Sequence, residues 1–273
     1  MSRIKGKTTN FAVIGKGFIY PRHEQAIESV GGKVLMTCDI NPETNPTFLD
    51  WLEMYNHPSF QKVDAVVICT PNYLHSTMVK EALSRGKKVL CEKPLTLNGI
   101  EGMSGVKAVL QLRKHPILQK IRDRKNRYIK GDVRVEARMY RDEKYFNSWK
   151  GDTVKSGGIL FNLGVHYIDL LIFLLGKPKE ILFVKVREKK VEGIVKFKNY
   201  RGMFNISIVD SPEKQGRNLF IGDREINLSN KENLSYEDLH IDVYKDFINN
   251  RGVGARSANQ SLDLIYRILK WKK

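Results

Sequence analysis

The sequence predicts an α/β protein in two parts. A parallel sheet wound with helices comes first, and an α+β unit with an open, mostly antiparallel sheet follows. Three observations carry this reading. Through the first 125 residues, short apolar runs alternate with helix signals, as βαβ units and a parallel sheet require. Beyond that point, successive strand-like runs are joined by turns, which is the signature of antiparallel pairing. The length agrees, because 273 residues are long for one compact core and comfortable for two. The expected division is 1–125 and 126–273.

The elements follow in order. Asn10–Ile14 is a short apolar run ending in glycine, and Arg22–Val30 reads as a helix. Lys33–Cys38 is a second strand, ending at Asp39, and Phe48–Tyr55 is amphipathic at helical spacing. Asp64–Thr70 is almost unbroken apolar sequence, as in a parallel strand covered on both faces. A helix at Leu74–Ser84 and a strand at Lys88–Cys91 complete the first part.

In the second part, Val133–Tyr140 alternates polar and apolar residues like a half-exposed strand. Gly157 and Gly158 open a strongly apolar helix through Leu175, closed by Gly176 and Pro178. Ile181–Val186, Gly193–Phe197 and Met203–Val209 are strands, the last two joined in a hairpin at Asn199–Gly202. Short strands at Asn218–Phe220 and Glu225–Leu228 precede helices at Leu239–Asn249 and Ser257–Trp271.

Composition narrows the functional classes. Hydrophobic residues at 41% and charged residues at 28% make a folded, soluble chain. The longest apolar run, Ile168–Leu175, is too short to span a bilayer. The basic stretch Met1–Thr9 leads into no apolar signal segment. A cytoplasmic protein with no membrane partner is therefore expected. Cys38, Cys69 and Cys91 each end an apolar run, and their odd number and spacing fit neither a disulfide framework nor a metal site. The net charge of +17 is spread along the chain, with only short clusters at Arg187–Lys190 and Lys270–Lys273. No aromatic-basic interleaving of the RNA-binding kind appears, so nucleic acid is not an expected partner.

The first chemical signal is Gly15-Lys16-Gly17-Phe18-Ile19-Tyr20, between the first strand and the first helix. Gly15 permits a tight turn and Gly17 lets backbone amides approach a pyrophosphate at the helix N-terminus, with Phe18 and Ile19 beside it. The third glycine of the usual fingerprint is replaced by Tyr20. Asp39, followed by Asn41, ends the second strand, where a carboxylate accepts hydrogen bonds from the adenosine ribose and repels a 2′-phosphate. An NAD-binding Rossmann domain is expected, with a turn or helix-cap role for Asp39 as the alternative.

Three further segments carry a family resemblance. They are Cys69-Thr70-Pro71-Asn72-Tyr73-Leu74-His75, Cys91-Glu92-Lys93-Pro94, and the stretch Tyr145–Leu171 with its Gly157-Gly158 and Gly164-Val165-His166-Tyr167-Ile168-Asp169. Together they resemble the Gfo/Idh/MocA oxidoreductases over nearly the whole chain. Pro21-Arg22-His23, Leu110-Gln111-Leu112-Arg113 and Ser148-Trp149-Lys150-Gly151-Asp152 are most similar to the branch that makes surface-polysaccharide sugars. That branch implies NAD-dependent oxidation of the C3 hydroxyl of a UDP-linked N-acetylglucosaminuronic acid to a 3-keto sugar, which a partner aminotransferase then aminates. It also implies a homo-oligomer, dimer or tetramer, assembled through the open face of the second sheet. Another sugar or cyclitol substrate, or a non-enzymatic sensor, are the alternatives.

Residue chemistry supports the resemblance independently. Oxidising a secondary alcohol needs a hydride acceptor on one side of the carbon and a base at its hydroxyl. Asn162, His166 and Asp169 share one face of the glycine-initiated helix. Lys93 ends a parallel strand, at the edge where such sheets bind ligands. His166 is the expected base and Lys93 the group that polarises the reacting oxygen, although the two could exchange roles. Taken singly, His166 could be a core histidine and Lys93 a surface turn residue. The resemblance further implies a cis Lys93–Pro94 bond. It places Thr70, Pro71, Asn72, His75, Glu92, Trp149 and Lys150 at the cofactor. Gln111, Arg113, Tyr145, Asn147, Lys155 and Asn162 are candidates for the substrate's polar and anionic groups, with solvated surface charge an equal alternative for Arg113 and Lys155. Leu95–Val109 is shorter than the family pattern, and Asn41–Pro58 is unusual.

Overall fold

The computed structural model describes residues 8–98, 104–229 and 236–271. Most of the basic N-terminal stretch, the end of the Lys270–Lys273 cluster and part of Leu95–Val109 lie outside the described residues.

The first half runs β1 (Asn10–Ile14), α1 (Tyr20–Ser29), β2 (Lys33–Cys38), α2 (Trp51–Asn56), β3 (Ala65–Ile68), α3 (His75–Ser84), β4 (Lys88–Cys91) and β5 (Val106–Ala108). Two helices follow, α4 (Pro116–Asp123) and α5 (Lys125–Tyr128). Next come β6 (Val133–Tyr140), the short helices α6 (Glu143–Phe146) and α7 (Thr153–Ser156), and a wide π-type turn at Leu160–Gly164 that leads into α8 (Val165–Leu175). The chain ends with β7 (Glu180–Arg187), β8 (Lys190–Lys196), β9 (Arg201–Val209), β10 (Gly216–Ile221), β11 (Arg224–Asn227), α9 (Tyr236–Ile248), β12 (Val253–Gly254) and α10 (Ala255–Leu269).

The first sheet has the order β12-β5-β4-β3-β1-β2. All its pairings are parallel except β12 with β5. β1 shows why its sequence is continuously apolar. Ala12 and Ile14 enter one core cluster with Met78 and Val79 of α3, while Phe11 and Val13 enter another with Ala26 and Ile27 of α1. Alternate side chains leave a strand on opposite faces, so a doubly covered strand has no polar side. The second cluster also takes Val243, Tyr244 and Phe247 of α9. Thus α9 and β12, from the last part of the chain, return to the first sheet. A linear division near residue 125 does not capture that return.

The second sheet has the order β11-β10-β6-β9-β8-β7, and only β6 and β9 run parallel. It is the open, mostly antiparallel sheet that the turn-linked strands predict. Val133, Val135, Ala137 and Met139 of β6 form its inner face and pack in one cluster with α8. The apolar stretch that contains α8 is therefore the core helix of this layer. Its entry is sharper than a simple helix start. Gly157 and Gly158 both adopt positive φ, +78° and +74°, and a Cβ on Gly157 would lie 2.6 Å from that of Phe161. Only glycine fits such a turn.

Candidate active site

The glycine turn after β1 takes the shape that its sequence requires. Gly15 has φ +96°, and a Cβ there would sit 2.8 Å from the main-chain carbonyl of Cys69. The turn is therefore pressed against the end of β3. Gly17 has open space around it. Asp39 braces the same turn, its Oδ2 accepting the Lys16 N–H at 2.6 Å and its Oδ1 the Asn41 N–H at 2.8 Å. The cap reading and the ribose reading of Asp39 are thus compatible, because each carboxylate oxygen keeps a second lone pair. Phe18 and Ile40 flank the turn with 82% and 89% of their surface exposed, apolar surface suited to a flat aromatic ring. A glycine turn with open space at Gly17, a carboxylate at the end of β2 and exposed apolar side chains beside them fit an NAD dinucleotide.

Lys93 stands at the C-terminal end of β4, and the Lys93–Pro94 bond is cis. Its Nζ donates to the main-chain carbonyl of Asn162 at 2.8 Å, within the wide turn Leu160–Gly164. Such turns interrupt the regular helical ladder and recur at functional sites. The Asn162 amide donates to the Tyr145 hydroxyl at 2.7 Å. Four residues expected at the site, Lys93, His166, Asn162 and Tyr145, are therefore neighbours. His166 has no hydrogen-bond partner for its Nδ1 among the described residues. Burial first, and Lys93 second, press its pKa down to about 3. At neutral pH it is the uncharged form that accepts a proton.

Positive charge crowds this space. Burial, and then Arg141 and Lys150, lower Lys93, while Glu92 alone pulls it back up. Burial and Arg141 lower Lys150, and burial and Arg217 lower Arg141. Arg141 also lies over the Tyr145 ring, 5.2 Å from its centroid. Arg141 and Arg217 are absent from the residues that sequence reading selected. A faint signal exists for both. The inward-facing alternation Val133, Val135, Ala137, Met139 reaches Arg141 one step on, and Leu219 and Ile221 share a face with Arg217. The pairing of Arg217 with Ala137, which brings the two strands side by side, is invisible in the sequence.

Other expected residues lie elsewhere or are engaged. Arg113 makes a two-pronged pair with Asp169, at 2.6 and 2.8 Å, and also donates to Ser257. Asp169 is 2% exposed, so the pair ties α8 to the segment after β5 and leaves Arg113 little to offer a substrate. Gln111 is buried, with its Oε1 unpartnered among the described residues. His75 is fully buried, and both its ring nitrogens face main-chain carbonyls, Pro94 at 2.6 Å and Thr70 at 2.8 Å. It clamps the Lys93–Pro94 turn to β3 and has no free nitrogen for a cofactor. Asn72 donates to the Ser156 carbonyl at 2.8 Å, joining the two layers. Thr70 and Pro71 lie partly exposed at the end of β3, and Trp149 is half-buried beside Lys150. Asn147 and Lys155 are exposed, and Lys155 pairs loosely with Asp152.

Comparison with known proteins agrees with this layout. Residues 9–116 match the model of the oxidoreductase family NAD-binding Rossmann fold, and residues 131–237 match the C-terminal alpha/beta domain of the same family. Among solved structures, the WlbA (WbpB) dehydrogenase from Thermus thermophilus, in complex with NAD and UDP-GlcNAcA, is 28% identical with a TM-score of 0.85. The match covers 97% of this chain and 96% of that one. The same enzyme with NAD and alpha-ketoglutarate gives 29% and 0.84 over the same shares. Curated relatives differ in activity. A 2,7-anhydro-N-acetylneuraminate hydratase of Mediterraneibacter gnavus is 27% identical over 64% of this chain and 52% of its own. An inositol 2-dehydrogenase of Rhizobium meliloti is 26% identical over 62% and 56%. The chain spans about half the length of these curated relatives.

Proposed function

This chain belongs to the Gfo/Idh/MocA oxidoreductase family, and on that premise we propose that it oxidises the C3 hydroxyl of a UDP-linked N-acetylglucosaminuronic acid. The observation that carries the reading is the crowding of Lys93, Lys150, Arg141 and Arg217 around one space beside His166. Half-buried cations set against one another destabilise a site that holds no anion. A substrate with a carboxylate and a pyrophosphate relieves that cost, and a neutral cyclitol does not. The neighbour that holds UDP-GlcNAcA, similar across 97% of this chain, supports the same choice.

Each residue then has a task. The Gly15–Gly17 turn and Asp39 would hold NAD, which would supply the hydride acceptor. Lys93, fixed by Asn162, donates a hydrogen bond to the C3 oxygen and stabilises negative charge as it develops. His166, neutral at working pH, takes the hydroxyl proton as the carbon–hydrogen bond breaks and the carbonyl forms. Asn162 and Tyr145 orient the sugar, while Arg141, Lys150 and Arg217 hold its anionic groups. The 3-keto product is a substrate for amination, and a partner aminotransferase fits that need. The exposed Leu182, Phe183 and Val186 on β7 fit a homo-oligomer joined through the second sheet, and the cytoplasm is where nucleotide sugars are made.

A second reading, oxidation of another sugar or a cyclitol, is favoured by the inositol dehydrogenase among the curated relatives. The test mixes purified protein with NAD and UDP-N-acetylglucosaminuronic acid, with and without 2-oxoglutarate, and follows the 3-keto sugar by mass spectrometry. Product in either mixture supports the proposal. Its absence, with NAD binding intact and turnover of myo-inositol present, transfers the assignment to the second reading.

A further inference from the structure

Glu92, next to Lys93 in the chain, joins a cluster of largely buried polar groups with no part in the reaction described so far. Glu92 Oε2 accepts the Lys93 main-chain N–H at 3.1 Å, and Glu92 Oε1 lies 3.1 Å from His23 Nε2. The other ring nitrogen of His23 is 2.8 Å from the Tyr244 hydroxyl. His240 Nε2 stands 3.9 Å from the same Glu92 oxygen, its ring edge-on to His23. His23 comes from α1, while His240 and Tyr244 come from α9. His23, Tyr244 and His240 are each at most 1% exposed.

Chemistry assigns the protons. Burial alone would raise the Glu92 carboxyl, but the hydrogen bond from His23 and the nearby ring of His240 offset it and hold the group well below its usual range. A carboxylate only accepts, so His23 carries its proton on Nε2. Burial keeps that ring neutral, and Nδ1 therefore accepts from the Tyr244 hydroxyl. A continuous network results: the Tyr244 O–H donates to His23, the His23 N–H to Glu92 Oε1, and the Lys93 main-chain N–H to Glu92 Oε2. Two histidines and a carboxylate so close together could also ligate a divalent metal. Against that, hydrogen bonds already engage both nitrogens of His23 and both oxygens of Glu92, and a cationic lysine adjoins them.

We propose that His23, Tyr244 and His240 are positioning residues that fix Glu92 as the counter-charge of Lys93, so that α9 sets the charge and the placement of that lysine. The titratable groups that act on Lys93 from the surrounding elements are Glu92 just after β4, Arg141 and Lys150 after β6, His166 from α8 and His75 from α3. Of these, Glu92 is the single anion. The consequence for turnover rests on the role proposed above for Lys93, but the electrostatic claim does not.

The test therefore reads Lys93 directly. Trace acetic anhydride labelling across a pH series, with peptide mass spectrometry, gives the midpoint at which Lys93 becomes reactive. In Glu92→Gln the midpoint should fall by about 1 to 3 pH units. His23→Phe should give a smaller fall, His23→Gln, which can still donate to Glu92, should restore it, and Tyr244→Phe should act in the same direction as His23→Phe. Thermal melts identify variants that fail to fold, and Tyr244→Phe keeps the ring packing if His23→Phe does not survive. An unchanged midpoint in folded Glu92→Gln overturns the proposal whatever the substrate is. A stoichiometric divalent metal that His23→Gln releases overturns it as well. A shifted midpoint in a protein that does not turn over the UDP sugar supports the proposal and counts against the substrate reading alone.

Discussion

The ammonium of Lys93 and the main-chain carbonyl of Asn162 meet at 2.8 Å, and with that bond the first sheet reaches into the second layer. One partner ends a parallel strand and the other lies in a wide helical turn 69 residues later. The proposed site exists only where the two layers touch.

Replacement of Lys93 tests the centre of this arrangement. Lys93→Met keeps the aliphatic stem and removes the donor. Turnover should fall about 10²- to 10³-fold, with a far smaller change in NAD affinity. Steady-state kinetics and a fluorescence titration of NAD check the two halves, and turnover at the wild-type rate would remove Lys93 from the mechanism.

His166 carries a prediction in pH. Its folded pKa of about 3 lies below the unfolded value of 6.5. The unfolded chain therefore takes up the proton first, and stability falls as pH drops below about 6.5. At pH 5 the loss from this group is about 2 kcal/mol relative to high pH. Melting curves of His166→Asn should be less acid-sensitive by that amount, and its turnover about 10²- to 10⁴-fold lower.

Asp39 joins the turn and the cofactor. Asp39→Ala removes the acceptor for the Lys16 amide and the carboxylate that would exclude a 2′-phosphate. NAD binding should weaken about tenfold or more, a loss of about 1.4 kcal/mol, and the preference over NADP should shrink. Calorimetric titrations with both dinucleotides measure this directly.

The pair of Arg113 and Asp169 separates a structural role from a binding role. Arg113→Met strands a carboxylate that is 2% exposed, at a cost of about 3 to 5 kcal/mol. Adding Asp169→Asn should recover much of the loss in melting temperature. A raised KM without loss of stability would instead return Arg113 to the substrate.

Arg141 should report on the charge of the substrate. Arg141→Ala removes a charge-assisted contact worth about 1.5 to 3 kcal/mol, raising KM for an anionic sugar roughly tenfold or more while kcat changes little. Turnover of a neutral polyol, where present, should be unaffected or improved, because the mutual repulsion of the cations is relieved.

Local order decided which parts of this were legible. The β1–Gly15 turn, the unbroken apolar run of β3 and the alternation of β6 are set by nearest-neighbour geometry, so period and glycine placement revealed them. Gly157 and Gly158 marked the entry toward α8, because the positive φ that the turn needs is available cheaply to glycine alone. Lys93, His166, Asn162 and Tyr145 could be selected by chemical type and family order.

What the sequence could not show is which polar groups spend their hydrogen bonds on each other. Arg113, a candidate ligand contact or a solvated charge, and His75, a candidate cofactor contact, both form internal ties, because their partners, Asp169 and two main-chain carbonyls, come from distant segments or from backbone. Arg141, Arg217, His240 and Tyr244 drew no notice, since strand alternation gives only a faint signal for the two arginines and helix periodicity makes the other two ordinary core positions. Their place depends on β10 lying beside β6 and on α9 crossing back over α1. The sequence by itself determined the two sheets and the glycine turn after β1, governed by local conformational preference, and offered by chemical type the side chains proposed to react. Only the tertiary structure decided which charges share one space, because burial and separation, not order along the chain, set their energies.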